Sequence, residues 1–123
     1  MSDRAHVPEA YRQAGMFMTL AALVHVMEGL MLMLIGLGTC LGSYGICCFC
    51  PFLGFVPIVV GILELPAATN ARNGVRDPGV RTANIVGLVT AMLSFSMIGV
   101  LLEALVLMNL GHEDVKGYLE TEG

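Results

Sequence analysis

The sequence predicts an all-α integral membrane protein: three transmembrane helices, the second kinked by proline, and a short C-terminal surface helix. Three observations carry this. Of the 123 residues, 56% are hydrophobic and 13% charged, about half the charge of an ordinary soluble domain. The charge deficit is gathered into three long apolar stretches, and turn-forming residues separate them. This composition excludes a disordered chain, a DNA-binding module and an ordinary water-soluble enzyme. The length leaves room for one small domain.

The first span covers residues 14–37, enough for a helix across roughly 30 Å of hydrocarbon at 1.5 Å per residue. Pro8 stands where a helix start tolerates proline, so the helix is expected to begin near Glu9 in water. Its apolar core is too long for a cleaved signal, and Leu37-Gly38-Thr39-Cys40 fits a lipoprotein cleavage box poorly, so no processing is expected. A loop at 38–50 follows, holding all four cysteines: Cys40, Cys47, Cys48 and Cys50. They read as small apolar groups at a membrane boundary. The alternatives are a disulfide from Cys40 to one of the others, or a zinc site, which has no nearby histidine and an awkward Cys47-Cys48 pair.

The second span, 51–68, is interrupted by Pro51, Gly54, Pro57 and Gly61. It is expected to cross with a kink, the alternative being a re-entrant segment. An arginine linker at 66–81 carries the turn signals Asn73-Gly74 and Asp77-Pro78-Gly79. The third span, 82–110, is longer than a bilayer needs and is expected to tilt or project. The acidic tail, 111–123, spaces Val115, Tyr118 and Leu119 as one face of a surface helix.

Orientation follows from arginine and lysine in short flanks. Arg4 and Arg12 precede the first span; Arg72, Arg76 and Arg81 lie in the linker; the cysteine loop has none; the tail has Lys116. The N-terminus and linker are therefore expected in the cytoplasm, with the cysteine loop and C-terminus outside. No basic cluster is dense enough for nucleic acid.

Small residues mark the packing faces. Gly15, Ala22, Gly29 and Gly36 recur every seven residues, and Ala83, Gly87 and Ala91 every four. In lipid, helices associate where small residues let backbones approach. The partner of the first seam, another helix of the chain or a second copy, is open. Residues 27–33 also resemble 102–108, as a parallel repeat would if both helices run the same way.

Each apolar run holds one glutamate. Glu64 is expected near the inner boundary, paired with Arg72 or water. Glu28 and Glu103 reach similar depth, and His25 shares a helix face with Glu28. His25, Glu28 and Glu103 are thus expected as an intramembrane polar cluster. Structural hydrogen bonding, a proton or cation path, and a metal site with a thin donor set all fit it. Asn84 and Asn109 are expected in the interfaces. The methionines, Met27 and Met31 among them, read as flexible apolar filler.

No catalytic constellation and no phosphate-binding loop is visible, so no enzyme activity and no cofactor or metal is expected. The expected function is structural: a subunit of a homo-oligomer or larger membrane complex, held by small-residue packing and in contact with lipid. The alternative is an oligomeric proton or cation pathway lined by His25, Glu28 and Glu103.

Overall fold

A computed structural model describes residues 6–45 and 48–121, and within them the chain is all helical. In order, the helices are α1 (Glu9–Gly42), α2 (Cys50–Leu53), α3 (Phe55–Arg72), α4 (Gly79–Leu93), α5 (Met97–Leu110) and α6 (Glu113–Glu120). Two segments, Glu9–Gly42 and Cys50–Arg72, are long and apolar enough to cross a membrane.

Helices α1 and α3 pack antiparallel along the seven-residue seam. A methyl group at Gly15 would stand 2.5 Å from Arg72 N and 2.8 Å from Ala68 O. One at Gly61 would stand 2.6 Å from Ala22 O, and one at Gly29 2.5 Å from Gly54 O. At the far end, a methyl at Gly36 would meet Pro51 N at 2.5 Å. The partner residues Ala68, Gly61 and Gly54 themselves recur every seven residues. Two matched repeats therefore zip together, as a strict seven-residue spacing keeps one stripe facing its partner. The seam meets a helix of its own chain.

Between α2 and α3 helical order breaks at Gly54. Pro57 has no N–H for the Leu53 carbonyl one turn earlier, which accounts for a break there. Pro66 lies inside α3, which continues to Arg72; the linker thus starts later than the expected residue 66.

The third apolar run differs from expectation. Residues 82–110 do not form one helix; α4 and α5 fold back on each other as an antiparallel hairpin. Asn84 Nδ2 donates to the Glu103 carbonyl at 3.0 Å, and Ala91 lies against Gly99. The turn is a Schellman motif: Ser96 N donates to Ala91 O and Phe95 N to Met92 O. Phe95 takes the left-handed position, φ 55°, where glycine is usual. Ser96 then caps α5, its Oγ accepting from Gly99 N at 2.9 Å.

This hairpin reverses two further expectations. Helix α5 runs antiparallel to α1, so the resemblance between 27–33 and 102–108 is not a parallel repeat. The tail also returns to the end of the bundle that holds the linker, rather than the opposite end. Tyr118 donates to Gly74 O at 2.7 Å, its ring is 5.3 Å from that of Tyr11, and the Arg76 guanidinium stacks on it at 4.8 Å. Tyr11 in turn donates to Val75 O at 2.9 Å and accepts from Asp77 N. Helix α6 forms as expected, with Val115 buried.

The apolar core sits at this end, where Tyr11, Met18, Ala68, Val80, Val106, Leu110 and Val115 interlock. Among the described residues, every charged side chain except Glu28, Glu64 and Glu103 lies on the linker end. The opposite end, including Leu41, Tyr44, Phe49 and Phe52, is uncharged and exposed.

Candidate functional site: a buried carboxylate–histidine cluster

Four helices converge on one polar cluster in this apolar bundle. His25 comes from α1, Glu64 from α3, Asn84 from α4 and Glu103 from α5, each at most 1% exposed. His25 Nε2 lies 3.3 Å from Glu103 Oε1 and 4.0 Å from Glu64 Oε2. Asn84 Nδ2 donates to Glu103 Oε2 at 2.6 Å and to the Glu103 carbonyl at 3.0 Å, holding that carboxyl in one orientation.

Gly87 makes the space for the two carboxyls. A Cβ built at Gly87 would overlap Glu64 Oε1 and Glu103 Oε1. The small-residue stripe on α4 therefore divides into three roles. Ala83 packs against the apolar core, Ala91 faces Gly99, and Gly87 is the wall of the polar site.

The cluster is short of hydrogen bonds. His25 Nδ1 and Asn84 Oδ1 are buried without a partner, and Glu64 meets no N–H or hydroxyl donor, only the carboxyl of Glu103. Buried polar groups are nearly always paired, and each exception costs about 1–3 kcal/mol. A net charge here would cost far more, so the site is balanced only when His25, the two carboxyls and whatever they bind sum to zero.

Glu28 is not a member of the cluster. It lies one turn further along α1, half-buried, where Ser96 of the hairpin tip hydrogen-bonds its carboxyl. Glu64, expected at the boundary with Arg72, takes the place expected of Glu28. Asn84, expected at an interface, is inside; Asn109 bonds only to Leu105 O in its own helix. Beyond the cluster, on the side away from the linker, a cleft of about 310 Å³ opens between Leu32, Leu53, Pro57, Thr90 and Phe95. Toward the linker, the apolar core closes the bundle.

In the cysteine loop, Cys40 and Cys48 form a disulfide and Cys50 is free. Cys47 lies outside the described residues.

Glu64 and Asn84 carried a signal in the sequence. Glu64 follows Gly61 by three, as His25 follows Ala22, and Ala22 and Gly61 are seam partners. Asn84 precedes Gly87 by one turn on the same small-residue stripe. Reading the second run's seven-residue spacing as a seam, rather than as interruptions, places Glu64, and the stripe through Gly87 places Asn84.

No family model, curated protein or solved structure matches the chain.

Proposed function

We propose that this chain is a small integral membrane protein whose working part is the His25–Glu64–Glu103 cluster, a site that takes up and releases a cation, proton or metal, within the bilayer. The observation that carries the reading is the burial of two carboxyls and an imidazole in one place: Glu103 Oε1 and Glu64 Oε2 lie 3.3 and 4.0 Å from His25 Nε2, and none of the three residues is more than 1% exposed. Interhelical hydrogen bonding needs no more than an amide or hydroxyl pair, whereas three ionisable side chains gathered in an apolar bundle are costly and mark a cation or proton site.

The topology that supports this reading has two crossings. Helix α1 and the α2–α3 segment span, while the α4–α5 hairpin enters and leaves on the linker side. Its helices have 15 and 14 residues, about 22 Å and 21 Å, against roughly 30 Å of hydrocarbon. Its tip is apolar and exposed at Leu93, Phe95 and Met97, as befits a turn that ends in lipid. The charged end, with Arg12, Arg72, Arg76 and Arg81, faces the cytoplasm by the positive-inside rule. The cleft beside Thr90, one turn from Gly87 along α4, lies on the opposite side, and Glu28 hydrogen-bonded to Ser96 adds a second polar pair near it. The apolar core seals the cytoplasmic side, so the site is reached from one face.

The test is flux in proteoliposomes carrying an internal pH dye, with a parallel arm for Mn²⁺ uptake. Wild type should carry one of the two above protein-free vesicles, and Glu64→Gln should fall to background while the lipid-facing Leu63→Ala does not. Wild type at background in both arms overturns the reading.

A second reading, a subunit of a larger membrane complex, has one observation in its favour. The hairpin stops near the level of Glu28, where α3 begins, leaving the end of α1 beyond it and α2 without a third helix against them among the described residues. The seam residues themselves are spent within the chain, so such a contact uses large apolar side chains rather than the glycine stripe.

A further inference from the structure

We infer that the cluster is a binding site for a divalent first-row metal ion, held by His25 Nε2, Glu64 and Glu103; this rests on the reading that the cluster takes a cation. One ligand atom from each residue lies within 4.8 Å of the others. The two separations from His25 Nε2 are 3.3 and 4.0 Å. Ligands bonded at about 2.0–2.2 Å in a tetrahedral site stand roughly 3.3–3.5 Å apart, so small side-chain movements close the set around one ion.

Three independent features point to such a ligand. The Glu64 carboxyl is buried, meets no N–H or hydroxyl donor and is directed at His25 and Glu103. Gly87 keeps the space that both carboxyls occupy, which any side chain there would fill. Asn84 binds Glu103 Oε2 and leaves Oε1 toward His25, the outer-shell support that orients a metal-binding carboxylate.

Charge selects the valence. Two carboxylates and a neutral imidazole sum to −2, and a divalent ion brings the site to zero in a medium where residual charge is costly. A monovalent ion leaves −1. Donor chemistry selects the class: one imidazole nitrogen with carboxylate oxygens suits Mn²⁺, Fe²⁺ or Zn²⁺ better than Cu⁺, which prefers thiolate and thioether.

The experiment is equilibrium binding to the full chain in detergent, after chelator treatment and alkylation of the thiols. Mn²⁺ is the probe, followed by loss of its sharp aqueous paramagnetic resonance signal. Wild type should bind one Mn²⁺ per chain, and Zn²⁺ should displace it, as the order of divalent affinities requires. Glu64→Gln and Glu103→Gln should each weaken binding about tenfold or more, whereas Glu28→Gln should not. Gly87→Ala should also weaken it, although it removes no donor, and circular dichroism reports whether each variant keeps its helices. Folded wild type that binds no Mn²⁺, or folded Glu64→Gln and Glu103→Gln that bind as wild type, overturns the site. Binding in detergent without flux in vesicles would leave the metal site standing and remove the transport reading; proton flux without binding would do the reverse.

Discussion

The seam between α1 and α3 and the cluster around Gly87 use the same residue for opposite ends. At Gly61 the missing side chain lets the Ala22 carbonyl approach, so two backbones meet with nothing between them. At Gly87 it leaves room for the ends of two carboxyls. One region is dry, repetitive and satisfied; the other is polar, unrepeated and short of partners. A small residue in an apolar helix thus has no single meaning, and what its absent methyl would strike decides which role it has.

The two regions should break differently. Gly61→Leu forces a large side chain into the Ala22 backbone, which cannot move without separating the helices. The expected cost is about 3 kcal/mol, read by denaturant unfolding in detergent; an unchanged transition would remove the seam. Glu64→Met should act the other way. It replaces a buried ionisable group, which meets another carboxyl rather than an N–H or hydroxyl donor, by an apolar side chain of similar size and should stabilise the metal-free protein by about 1–3 kcal/mol, with loss of flux. Lower stability would mean that the Glu64–Glu103 contact holds the helices together.

Tyr11→Phe touches neither region directly. It leaves the Asp77 N–H and Val75 carbonyl without the phenol and should cost about 1 kcal/mol, with flux intact. The sharpest comparison comes from one methyl placed twice. Gly61→Ala meets backbone, whereas Gly87→Ala meets side-chain ends that can swing aside. The second should cost under about 1 kcal/mol while still impairing flux, and similar thermal shifts for the pair would erase the distinction drawn here.

Much of this architecture was legible. The seven-residue stripe of small residues on α1 is visible in the sequence, and α3 lies against it; Gly74 marks the end of α3 because it fills the left-handed position of a helix stop, φ 70°. The turn at 94–96 was not legible by that rule. The same motif is closed there by Phe95, which carries no turn signature, so an apolar stretch of 29 residues passes for one helix. Its remaining signals were excess length and the pair Ser94 and Ser96 with Gly99 three residues on. From that one turn follow the return of the tail to the linker end and the antiparallel course of α5 against α1. Of the expected cluster, His25 and Glu103 meet and Glu28 does not. Depth counted along the chain ranked Glu64 by its nearness to Arg72, but the face it shares with Gly61 governs where it points.

The one-sided distribution of charge has a consequence for how the chain is made. From Met31 to Leu63 no residue is ionised at neutral pH, so on the proposed topology this segment can pass through the bilayer as a single helical loop, with no charged group to translocate. The later hairpin needs only to dip in and withdraw. Biogenesis of such a chain depends on apolar partitioning from the ribosome's side, and the buried carboxyls are assembled last, when α5 closes against α1.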